Sequence, residues 1–85
     1  MTRPENITLN IDGKKQDIPV DSLVEVTYKR DKGMTSTGYA ILTEGGQQLP
    51  ASLLLSMDNY QDYRKAETIK VILEDDIKRI KIHAE

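Results

Sequence analysis

The amino-acid sequence predicts a mainly β protein, at the α+β margin, and three observations carry the prediction. Apolar and β-branched residues alternate with polar ones at a period of two over residues 7–11 and 24–28. Turn-forming clusters recur between such runs, at Asp12-Gly13, Arg30-Asp31-Lys32-Gly33 and Glu44-Gly45-Gly46. A chain of 85 residues is also too short for two ordinary domains, so every element shares one core and residues 1–85 are read as one domain.

The first element is a hairpin over residues 6–21. Ile7, Leu9 and Ile11 alternate with Thr8 and Asn10, Asp12-Gly13 turns the chain, and Ile18 and Val20 return it. A two-residue loop would set Leu9 opposite Gln16. A four-residue loop pairs Leu9 with Ile18 and Ile7 with Val20, and the second register is expected because it matches more apolar side chains. Pro19 cannot donate to a ladder, so the return strand is an edge or ends there.

Val24, Val26 and Tyr28 then define a half-buried strand, and residues 37–43 resume strand composition beyond the charged turn. Gly38 within that run suggests a bulge or a tight bend. Residues 50–63 admit two readings. Leu53, Met57, Tyr60 and Arg64 are spaced for a helix face, with Pro50 at a position a first turn tolerates; Leu53, Leu55 and Met57 also alternate as in a strand. A short helix over residues 51–57 followed by a polar loop is expected. Ile69, Val71, Ile72 and Leu73 form a nearly continuous apolar strand ended by Glu74-Asp75-Asp76, and Val71 and Ile80 are assigned to the core. Ile77 and Ile80, three apart, suggest one helical turn, and Ile80 and Ile82 alternate with Arg79 and Lys81 in a last strand.

Strand, acidic turn, helical turn and short closing strand, in that order, resemble the end of a small SH3-like or Sm-like barrel. The resemblance covers residues 23–83 and rests on pattern alone. It implies a barrel preceded by the N-terminal hairpin, and it implies no function, because such folds host many.

Composition narrows the function classes. Hydrophobic residues at 38% and charged residues at 31% give a globular balance rather than a disordered one. Twelve basic against 14 acidic residues leave a net charge of -2, and residues 1–42 carry six of each sign, so neither half is a cationic nucleic-acid arm. With no Cys there is no thiolate ligand or nucleophile, and the single His, His83, lies at the tail. Asp58 and Asp62 would share a helix face four apart, but a hydrated loop is the better reading of their surroundings. Glu74-Asp75-Asp76 lacks the spacing of a calcium loop. No catalytic group, cofactor or metal is expected. The N-terminus shows no apolar signal core and the chain no membrane span, so a cytoplasmic protein is expected.

What remains are contact residues. Lys14 and Lys15 fall at one hairpin tip, and Lys29, Arg30 and Lys32 at another, which can meet on one rim. Tyr60, Tyr63 and Arg64 are residue types enriched at interfaces. The expected function is a small non-enzymatic protein-interaction module, an adaptor or inhibitor that occupies a partner's surface. The alternative is a nucleic-acid-binding barrel that uses the basic tips. A homo-oligomer built by adding a strand to an exposed edge is a further possibility the pattern allows.

Overall fold

The computed structural model describes residues 5–31, 33–58 and 67–83. Seven strands run in chain order: β1 (Asn6–Ile11), β2 (Lys14–Pro19), β3 (Leu23–Tyr28), β4 (Thr35–Ile41), β5 (Ser52–Ser56), β6 (Ile69–Leu73) and β7 (Ile77–Ile82). The only helical piece among the described residues is a 3-10 turn, Glu74–Asp76, between β6 and β7. β1 and β2 form a two-stranded sheet; the others form an antiparallel sheet in the order β6-β5-β4-β3-β7.

The hairpin turns through two residues, not four: Leu9 faces Gln16 and Ile7 faces Ile18. Asp12 and Gly13 both have positive φ, 52° and 82°, the geometry of a two-residue turn whose twist matches that of its strands. Both registers keep the same apolar face inward, so side-chain pattern could not choose between them and the turn did. The structure also gives Gln16 a task, since its Nε2 donates to the Ile80 carbonyl at 3.2 Å. β2 ends at Pro19, as the missing donor requires.

Residues 51–57 are not a helix. β5 lies between β4 and β6, and all five of its residues are buried. Leu53 and Leu55 face the main core, while Leu54 pairs with Ile41 on the opposite face. A strand covered on both faces shows no polar alternation, which is why its pattern also fits a helix. Its buried serines are satisfied nearby: Ser52 donates to the Pro50 carbonyl and Ser56 to Asp58 Oδ1.

The hairpin lies across the larger sheet, and Ile7, Leu9, Ile11 and Ile18 pack with Val24, Val26, Leu53, Leu55, Ile72, Ile77 and Ile80 in one core. β1 is held along its outer edge by side chains. Gln48 accepts from Thr8 N–H at 3.0 Å and donates to the Thr8 carbonyl at 2.7 Å, as a neighbouring strand would, and Glu74 accepts from Asn10 N–H. No ladder joins β6 to β7 among the described residues, so the expected barrel does not close. The hairpin contributes apolar surface at this core instead, with β1 against β5, β7 and the 3-10 turn.

Two further expectations change. Ile77 and Ile80 are both buried, yet they belong to one strand. Thr27 pairs with Arg79 and Tyr28 with Ile77, so Lys78 is an extra residue in a β-bulge, and the bulge brings two isoleucines three apart onto one face. The apolar run of β6 is an edge: Ile72 is buried, whereas Val71 and Leu73 are 54% and 55% exposed. His83, read as a tail residue, extends the β3–β7 ladder by donating its N–H to the Leu23 carbonyl.

Candidate functional site

The two hairpin tips do meet. The Asp12 carboxylate, in the turn of the first hairpin, bonds Lys29 Nζ at the end of β3 over 2.7 Å. That hydrogen bond, above all, holds the Lys29 ammonium pKa above the usual lysine value, outweighing partial desolvation, with Asp75 and Asp76 adding weaker attraction. Both members are exposed, so the pair orients the tips more than it stabilises the fold. Arg30 Nε lies 3.7 Å from Asp76 Oδ1, and the Lys29 N–H donates to the Asp76 carbonyl, which ties the β3 end to the 3-10 turn.

Beside this junction a groove of about 530 Å³ runs between β2 and β7. Lys14, Lys15, Lys78 and Arg79 line it, and its one carboxylate is Asp12, already neutralised by Lys29. None of the four cations makes a salt bridge among the described residues. The charge is concentrated here although the chain as a whole is acidic. An adjoining groove of about 500 Å³ shares Asp12, Lys78 and Arg79 and adds Lys29, Tyr28 and Glu25. Lys78 and Arg79 thus stand on the wall between two grooves, where the bulge re-aims them.

Of the residues the sequence singled out, Lys14 and Lys15 line the first groove and Lys29 the second. Arg30 is exposed, faces Asp76 and lines neither. Lys32, Tyr60, Tyr63 and Arg64 lie outside the described residues. Lys78 and Arg79 were missed as contacts because alternating cations on a closing strand read as a solvated face. The bulge that turns them is invisible in the period.

A second polar constellation sits at the end of the core. Ser36 Oγ lies 2.8 Å from the Tyr28 hydroxyl, Lys70 Nζ donates to the same oxygen at 3.1 Å, and Nζ stands 5.1 Å from the Tyr28 ring centroid. A lysine that activates a serine must accept its proton, and here the ammonium donates. The geometry is that of a polar plug, in which each group satisfies another.

The segment carrying Tyr60, Tyr63 and Arg64 is anchored at its flanks by Asp58. Its carboxylate accepts from Glu67 N–H at 2.6 Å, Thr68 N–H at 3.2 Å and the Ser56 hydroxyl at 3.0 Å. Desolvation alone would raise its pKa, but these hydrogen bonds together lower it. A lowered native pKa means the clamp is complete above the ordinary carboxylate value of about 4 and is lost as pH falls through the lower native value. The amide signals of Glu67 and Thr68 should therefore titrate only in that acid range, and Asp58→Asn should abolish the titration. Signals that titrate equally in the Asn variant would show that another group is responsible.

No described helix is long and apolar enough to cross a membrane. No family model, curated protein or solved structure matches this chain.

Proposed function

We propose that this protein is a small non-enzymatic, cytoplasmic protein-interaction module, an adaptor or inhibitor that occupies a partner's surface, with the groove between β2 and β7 as its contact face. The observation that carries the reading is the set of four cations, Lys14, Lys15, Lys78 and Arg79, around one groove whose only carboxylate is neutralised. Such a site favours an acidic segment of a partner, and a positive patch opposite a negative one raises the rate and selectivity of encounter. The strand order, with a 3-10 turn before the strand that returns to β3, supports reading the scaffold as an SH3-like or Sm-like chain path left open beside the hairpin.

A nucleic acid is the second reading, favoured by Tyr28 and Lys29 in the adjoining groove, where a base and its phosphate could lie together. One variant tests both. Changing Lys14, Lys15, Lys78 and Arg79 together to Gln should leave the melting temperature nearly unchanged and weaken binding of an oligoglutamate peptide by about tenfold or more, an energy of about 1.4 kcal/mol. For a single-stranded oligonucleotide held by the same four groups, log affinity should fall against log salt with a slope of about 3, and the variant should lose that slope. Tighter binding of the oligonucleotide than of the peptide would favour the second reading. Equal binding by parent and variant in both arms would remove the groove from either.

A further inference from the structure

We propose that the free edge of β6 is a second docking site, independent of the cationic groove, and that it takes an extended segment of another protein, apolar at alternate positions and basic at both ends, as an added strand. The two edges of the five-stranded sheet are built differently. At β7, Gln16 occupies the Ile80 carbonyl, Lys78 forms a bulge, and Arg79 and Lys81 flank Ile80, all features that discourage a further strand. At β6, the ladder among the described residues is with β5 alone.

An apolar row crosses the outer face of the sheet from Ile41 through Leu54 to Val71. Its first two members are 2% and 5% exposed, and the row then ends on Val71 at 54%, with Leu73 beside it at 55%. A strand added at the usual spacing of about 4.8 Å would set its own apolar side chains next to Val71 and Leu73 and continue the row.

Charge selects the occupant. Glu67 lies just before β6, and Glu74 and Asp75 lie just after it. The one cation in the strand, Lys70, directs its ammonium to Ser36 and the Tyr28 ring. Both ends of the edge are therefore acidic. A second copy pairing antiparallel about Val71 would bring Glu67 against the copy's Glu74 and Asp75, so like charges oppose self-pairing and a chain with basic ends is complementary.

The test is a titration of the labelled full chain with a peptide of roughly seven residues, alternating valine and threonine with a lysine at each end. By about 1 mM peptide, amide shifts and slowed hydrogen exchange should appear within residues 69–73. Val71→Lys, at an exposed position, should weaken this binding by about tenfold or more, while the four-cation Gln variant should leave it unchanged. The proposal is overturned if residues 69–73 do not respond, or if peptides with glutamate ends or a central proline bind as well. It is equally overturned if the chain alone self-associates and Val71→Lys prevents it, which would give the edge to a second copy. Loss of the groove's binding would leave this result untouched, so the two readings fail separately.

Discussion

Replacing Leu55 with Asp is expected to leave the chain unfolded at room temperature. Leu55 is fully buried in β5, between β4 and β6, and faces the core that also holds the hairpin isoleucines. The substitution removes the packing of a large side chain and asks a carboxyl group to sit without partners in an apolar interior, at a cost of several kcal/mol. A domain of this size has a total stability on the order of 5 kcal/mol, so little native protein should remain. Val71→Asp is the contrast. From its unbroken apolar run β6 reads as a core strand, but Val71 is more than half exposed, and its Asp variant should stay within about 1 kcal/mol of the parent. Circular dichroism melts of both variants decide the point. A cooperative Leu55→Asp melt near the parent midpoint would contradict the central placement of β5.

Gly38→Ala should be the next most damaging change. A Cβ at position 38 would stand 2.7 Å from the Ser56 carbonyl oxygen and 3.3 Å from both Leu55 Cβ and Met57 Sδ. The first of these is backbone, so relief requires β4 and β5 to move apart. Overpacking of this kind costs about 1 to 3 kcal/mol, which lowers the melting temperature of a small domain by roughly 5 to 15 °C. The glycine thus serves a close approach between strands and not a bulge, since the β3–β4 register runs through it without a shift. An Ala variant as stable as the parent would mean that the strands are further apart than 2.7 Å allows.

The site was half legible. Lys14 and Lys15 follow Asp12-Gly13, whose turn chemistry is local, so their place at a hairpin tip could be read directly. Their convergence with Lys29 depends on one contact between residues 17 apart in the chain, Asp12 to Lys29, and no periodicity reports it. Lys78 and Arg79 enter the groove through a bulge that exists only because β7 pairs with β3.

Wherever one face of a strand is buried and the other wet, as in β1 and β3, alternation in the sequence determined the element, and Asp-Gly and Gly-Gly determined where the chain turns. The mainly β class follows from those signals together. Only the tertiary structure decided the rest. β5 is a strand because neighbours cover both its faces, and a segment buried all round carries no period of two. The hairpin register follows from the left-handed Asp12 and Gly13, since a shift of two residues leaves the same face inward. Val71 and Leu73 are exposed because β6 is the last strand of the sheet, a position set by strand order, to which hydropathy along the chain is blind.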